Sequence, residues 1–114
     1  MNTLLDQFWG STILSISLSQ DLALLTLDAQ IVDSAIEPPS QEHRIDFKDV
    51  SSLKYARSTP LPWNYTELTG IEAQSIDSGI RVVMELWSSN LLTVVCSAVE
   101  VDGIPLEDRS LPKD

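Results

Sequence analysis

The sequence predicts a mainly all-β, antiparallel fold of six or seven strands, built as a sandwich or a strongly twisted sheet with a short N-terminal helix. Three observations predict it. Apolar and polar residues alternate with period two in several separate runs, the pattern of strands with one buried face. Turn-type residues join most of these runs directly, as antiparallel neighbours allow. No helical pattern stands between two strands, which removes the parallel-sheet architectures. At 114 residues the chain is one domain's worth. It reads as a single β domain over 1–103 and a flexible tail over 104–114.

The elements follow in order. "TLLDQF" predicts a short helix from Thr3, as its cap, to Phe8, ended by Gly10, with Leu4, Leu5 and Phe8 on one face. This helix, or another subunit, is expected to cover the open face of the sheet. In "STILSISLSQD", Leu14, Ile16 and Leu18 alternate with Ser15, Ser17 and Ser19, so the leucines and Ile16 form the expected core face. "LALLTLDAQIV" repeats the pattern, with Leu25, Leu27, Ala29 and Ile31 inward and Thr26, Asp28 and Gln30 outward. A turn at Gln20 and Asp21 makes the two a hairpin. Pro38 and Pro39 then lack amide donors and exclude a central strand, so this stretch is a loop.

"HRIDFKDV" alternates through Ile45 and Phe47, but Val50 and Leu53 follow at three-residue steps. That spacing predicts a bulge or bend between two half-strands, or a one-turn helix. After the long connection "TPLPWNYTELTG", "LTGIEAQSI" and "IRVVMELW" flank the hairpin turn "DSG", and Ile80, Val82, Met84 and Leu86 share the core face. "SSN" turns the chain into "LLTVVCSAVEV", which is apolar on both faces at Val94, Val95 and Cys96 and predicts one middle strand covered on both sides. The remaining "DGIPLEDRSLPKD" reads as a frayed tail.

Composition narrows function by exclusion. Seven Lys and Arg against 17 Asp and Glu leave a net charge of -10 with no basic run. Such a surface repels nucleic acid and anionic membranes; it would draw a basic protein partner, although the commoner role of such acidity is to keep a small protein soluble. Cys96 is the single cysteine, so no intrachain disulfide can form, and a reducing cytoplasm is the expected setting. The N-terminal residues lack the basic region of a signal peptide, and no apolar run is long enough for a membrane helix. No cofactor, metal or catalytic set is expected. The four glycines are dispersed, without a phosphate-binding loop, and no Gly-x-Ser-x-Gly elbow occurs. On a strand, His43 points away from Glu42 and Asp46, so it is expected as a solvated histidine at a strand entrance. Glu67 with Glu72, or Glu72 with Glu85 and Arg81 opposite, are paired carboxylates better explained as cross-strand charges on a wet face than as glycosidase acids.

The aromatic residues of the long connection, Trp63 and Tyr65, together with Glu67 and Trp87, form the candidate protein-binding set. Packing is the expected role of Trp63, and Tyr65 is the better candidate for exposure. A resemblance points the same way. The order of "STILSISLSQDLALLTLDAQ", "RIDFKDVSSLKY", "GIEAQ", "IRVVMELW" and "LLTVVCSAVEV" resembles a group of small, poorly characterised bacterial β-sheet proteins. In these a strand carries Phe-x-x-Val-x-x-Leu, here Phe47, Val50 and Leu53, and a late strand often contains a cysteine. The resemblance spans Ser11–Val101. Some members are similar to immunity proteins, which neutralise toxins of polymorphic toxin systems. It implies core roles for Phe47, Val50 and Leu53 and a protein partner. The expected function is thus a non-enzymatic cytoplasmic protein-binding domain of immunity or inhibitory type. Two rivals stand beside it: a small-molecule binder or enzyme with a pocket near Trp63 and Glu67 or Glu72 as polar contacts, and a homo-oligomeric module, such as a homodimer through Leu91–Val101 or the Trp87 edge.

Overall fold

Alternation becomes strand throughout the computed structural model, which describes residues 5–21, 23–32, 40–56, 67–86, 90–106 and 111. Among these the strands are β1 (Thr12–Leu18), β2 (Leu25–Val32), β3 (Ser40–Lys48), β4 (Ser52–Ala56), β5 (Leu68–Ile76), β6 (Gly79–Leu86), β7 (Asn90–Cys96), β8 (Ala98–Val101) and β9 (Ile104–Pro105). They form two antiparallel sheets, a five-stranded one ordered β1-β2-β3-β8-β9 and a four-stranded one ordered β4-β7-β6-β5. The central strands turn alternate side chains inward. Leu25, Leu27, Ala29, Ile45, Phe47, Val99 and Val101 from the first sheet meet Ile80, Val82, Met84, Leu86, Leu92, Val94 and Cys96 from the second. Both predicted hairpins, β1-β2 and β5-β6, are present.

The three-residue steps at Phe47, Val50 and Leu53 mark a corner. β3 lies in one sheet and β4 in the other, with Asp49 at φ 52 between them. The strand opposite does the same, because β7 and β8 belong to different sheets and divide at Ser97. The predicted single strand "LLTVVCSAVEV" is therefore two strands in two sheets. Hydrogen bonds run unbroken around the corner: Ser97 N donates to Lys48 O at 2.9 Å and Ser51 N to Val95 O at 2.8 Å. β7 is a middle strand, but only its Leu92, Val94 and Cys96 face is fully buried; Thr93 and Val95 are half-covered. Phe47 is core and Val50 packs against it, whereas Leu53 is 42% exposed. The resemblance's third core position is thus a surface residue.

Strand β1 departs from simple alternation. Ile13 pairs with Ala29 and Ser15 with Asp28, leaving Leu14 as an extra residue in a bulge. The bulge shifts parity, so Ile13 is buried and Leu14 is 46% exposed, while Leu18 is exposed at the hairpin end and Ile16 packs partly against the core.

At the N-terminus the described residues contain one 3-10 turn, Asp6–Phe8, in place of the expected helix. Phe8 N donates to Leu5 O at 3.0 Å, a three-residue step that stacks Leu5 and Phe8 on one side, and both are buried. Thr3 and Leu4 lie outside the described residues. So short a segment has too few internal hydrogen bonds to hold an α-helix, and backbone pairing with β5 takes the chain instead. Gly10, at φ 78, redirects it. Gly10 N donates to Leu68 O at 2.7 Å, Leu68 N donates to Ser11 O at 2.8 Å, and Thr12 bridges Glu67. The starts of β1 and β5 thus join the two sheets on the side opposite the corner.

The described part of the expected tail contains a short strand and two buried leucines. Asp102 and Gly103, at φ 52 and 83, make a tight turn into β9. Leu106 and Leu111 are buried in the core.

The glycines of the two β-turns separate strain from crowding. Both Gly79 and Gly103 have positive φ, but a Cβ on Gly79 would meet Cys96 O at 2.2 Å, while one on Gly103 would meet nothing within 4 Å. Gly103→Ala is expected to lower the unfolding free energy by about 1 kcal/mol and Gly79→Ala by at least about 2–3 kcal/mol, read by urea denaturation. Equal losses would show that the backbone beside Cys96 yields freely.

Candidate functional site

The outward-facing side of the four-stranded sheet carries the most distinctive surface. Its outward residues alternate with buried Ile71, Met84 and Leu92, which places Gly70 and Glu72 on β5, Val83 and Glu85 on β6 and Leu91 on β7 side by side. A bulge at Thr69 shapes this edge: Leu68 pairs with Leu86 and Gly70 with Glu85, leaving Thr69 extra. Its Oγ1 donates to Glu85 O at 3.1 Å and contacts Glu85 Oε1 at 3.2 Å. Gly70 contributes no side chain, so a hollow remains above it. Trp9, just before the redirecting Gly10, stands at the rim with 61% of its surface exposed. Trp9, Thr69, Gly70, Ile71, Glu72, Val83, Glu85 and Leu91 together line an open cleft of about 330 Å³.

Of the sequence candidates, Glu67 is described and falls beside this cleft. It is half-buried at the bridge to Thr12, with Oε1 4.0 Å from where a Cβ on Gly10 would stand. Trp63, Tyr65 and Trp87 lie outside the described residues. Glu72 and Glu85 do come together on one face, as diagonal neighbours; Arg81, expected opposite one of them, instead donates to Gln74. From the sequence, Trp9, just after the short helix, is expected to pack against the sheet and not to serve as a site residue; its exposure follows from pairing of residues 10–12 with β5, a contact without local signal.

The five-stranded sheet is chemically quieter, because most of its charges are paired across strands. Arg44 donates to Asp28 at 2.8 Å, Ser15 to the same carboxylate at 3.0 Å, Lys48 to Glu100 at 2.7 Å and Thr26 to Asp46 at 2.9 Å. The Arg44 hydrogen bond, against a smaller effect of burial, holds the Asp28 carboxyl below its ordinary value. His43 is not a solvated histidine. Its side chain is 18% exposed, Nδ1 lies 2.6 Å from Asp102 Oδ2, and its ring packs edge-on to Phe8 with centroids 5.9 Å apart. Glu42 and Asp46 do point the other way, but the partner arrives from the β8-β9 turn, 59 residues later. Burial pushes the Asp102 carboxyl up, yet hydrogen bonds from His43 and the Arg44 amide (2.8 Å) outweigh it and leave it lowered. Cys96 is buried, and desolvation pushes its thiol up to about 11. It therefore stays protonated and unreactive near neutral pH. Among the described residues no group of three or more His, Cys, Asp or Glu is placed to hold a metal ion, and no helix is long and apolar enough to cross a membrane.

No protein-family model matches the chain, and no curated protein sequence matches it. Among solved structures, the fold is similar to the crystal structure of an uncharacterized protein from Neisseria gonorrhoeae, with a TM-score of 0.57 and 13% sequence identity. The match covers 83% of this chain and 92% of that one. At such identity the likeness establishes a shared architecture alone.

The lowered carboxyls set an acid dependence. Asp102 and Asp28 are held below 3.8 in the folded chain, so their stabilisation is present above the unfolded value and lost as pH falls through the folded one. Urea unfolding between pH 7 and pH 2 is expected to show falling stability at the acid end. Asp102→Asn should be less stable at pH 7 and lose less on acidification. An unchanged acid limb in this variant would show that Asp102 is not a source of the dependence.

Proposed function

We propose that this chain is a non-enzymatic protein-binding β domain that acts on a basic protein in the cytoplasm, as an inhibitory or immunity-type partner. The observation that carries the reading is the Trp9 cleft. A large indole left mostly in water forgoes roughly 2–3 kcal/mol of burial, and Trp is the residue type most enriched among interface anchors. Charge supports the same reading. With a net charge of -10, the chain would steer a basic partner toward it and repel acidic ones.

Of the candidate residues from the sequence, Glu67 stands by Gly10, while Trp63, Tyr65 and Trp87 neighbour Glu67, Glu85 and Leu91 in chain order only and lie outside the described residues. The rival small-molecule reading draws on the same cleft, but its volume is near the lower end for such sites and it is open to solvent. The homo-oligomeric reading has less support. The four-stranded sheet has two edges, β5, whose start bridges Thr12, and β4, with Lys54 at its centre. Antiparallel self-pairing about that residue would set two lysines opposite each other.

Purification of the tagged protein from its native host at low ionic strength, with mass spectrometry of what accompanies it, tests the reading. The expected result is a stoichiometric complex with a basic protein whose affinity drops about tenfold or more as salt is raised to screen exposed charges. Trp9→Ala and Trp63→Ala are each expected to weaken it by about tenfold or more. Absence of any protein partner, or wild-type affinity in both variants, would defeat it.

A further inference from the structure

We propose that the Trp9 cleft is a receptor for a single arginine side chain, which the basic partner inserts as its anchor. This inference rests on the protein-binding reading for the identity of the partner, but the cleft's chemistry is argued from its own residues.

The cleft has three parts. Its floor is apolar and small, formed by Gly70, Val83 and Leu91, and suits the methylene stem of a long side chain. One wall is the Trp9 indole, the aromatic surface that attracts cations most strongly. Its charged residues among those described are Glu72 and Glu85. Among the described residues no hydrogen bond or ion pair reaches Glu72 or Trp9, and Glu85 is engaged by Thr69. A hydroxyl donor leaves the Glu85 charge uncompensated.

This balance contrasts with the other sheet, where Asp28, Glu100 and Asp102 each have a cationic or histidine partner. Among the described residues no ion pair reaches either carboxylate, Arg81, diagonal to Glu72 on its other side, being engaged by Gln74, and the exposed indole beside them suits a cationic group supplied from outside. The two acids stand diagonally: Glu85 pairs with Gly70, two residues from Glu72. Diagonal positions on adjacent strands are about 7–8 Å apart. A guanidinium suits that spacing better than an ammonium, because its five donors fan out in one plane and can serve two carboxylates while its face stacks on the indole. A lysine concentrates its charge at one point and stacks less well. The bulge at Thr69 and the missing side chain at Gly70 keep the receptor open. Gly70 has no positive φ, and a Cβ there would stand an ordinary 3.4 Å from Glu85 Cβ. A larger residue is thus accommodated by the strand while filling the hollow.

The test is an NMR titration of the full chain with three capped pentapeptides, identical except for a central arginine, lysine or citrulline. Citrulline keeps the shape of arginine without its charge. The expected result is saturable shifts of the Trp9 indole N-H and the amides of Gly70, Glu72, Glu85 and Leu91 with the arginine peptide. Binding should be several-fold weaker for lysine and absent for citrulline. Glu72→Gln combined with Glu85→Gln should weaken the arginine peptide at least about tenfold, and Gly70→Leu should abolish its binding. Both variants should keep the dispersed spectrum of the folded chain. Equal binding of the citrulline peptide, shifts mapping elsewhere, or no saturable shift in the wild type would overturn the inference.

The two proposals fail separately. Full affinity of Gly70→Leu and of the double glutamine variant for the partner protein would remove the cleft as the arginine receptor and leave the protein-binding reading standing. Specific arginine binding by a chain that captures no protein from its host would do the reverse.

Discussion

The structure depends on one constraint, the continuity of backbone hydrogen bonding around the corner where two neighbouring strands leave one sheet for the other. β3 becomes β4 and β7 becomes β8 at the same level, and Ser97 N to Lys48 O and Ser51 N to Val95 O carry the ladder across. A backbone polar group buried without a partner costs about 1–3 kcal/mol, so neither strand can bend alone. Ser97 Oγ, which donates to Asp49 Oδ2 at 2.9 Å, ties the two bends side to side. Once the corner is set, the two inner faces must confront each other, and a core of alternate residues follows. Val50 N donating to Ala23 O at 2.8 Å then anchors the approach to β2 against the same corner.

Closure on the far side is slighter and has greater functional weight. Among the described residues, one bridge and the backbone hydrogen bonds of Leu68 with Gly10 and Ser11 hold residues 10–12 against β5. Because Phe8 is drawn into the core while Gly10 is held on β5, the intervening Trp9 is directed outward. The same pairing sets Glu67 beside Gly10 and places the indole over the outward face of β5 and β6. The two sheets consequently present different surfaces. One has most of its charges matched across strands, and the other gathers Glu72 and Glu85, without an ion pair among the described residues, beside an aromatic ring.

Much of this architecture was legible in the sequence because strand alternation is local. Leu25, Leu27 and Ala29, and Ile80 through Leu86 at every second residue, declare their buried face without reference to any other element. The bend was legible too, since three-residue spacing at Phe47, Val50 and Leu53 breaks a two-residue period. The errors arose where pairing overrides the pattern. Leu14 is displaced by a bulge that exists only in register with Ala29 and Asp28. "LLTVVCSAVEV" shows no interruption, because Ser97 bends only in response to the strand beside it. Leu106 and Leu111 sit among charges and prolines that signal a tail, but hydrophobic burial across the fold retains them. For the candidate site, Glu67 and the carboxylates of β5 and β6 were visible as residue types, while their assembly with Trp9 was not.

By itself, then, the sequence determined a mainly β, antiparallel chain with a strongly acidic surface and a lone cysteine in an apolar run. Those properties reside in single residues or in neighbours two positions apart, where composition and periodicity are sufficient. Tertiary structure alone decided that the sheets meet at a shared corner, that His43 pairs with Asp102, and that Trp9 faces solvent beside Glu72 and Glu85. Each of these joins segments tens of residues apart. Their proximity comes from register and from backbone groups seeking partners, which no local pattern records.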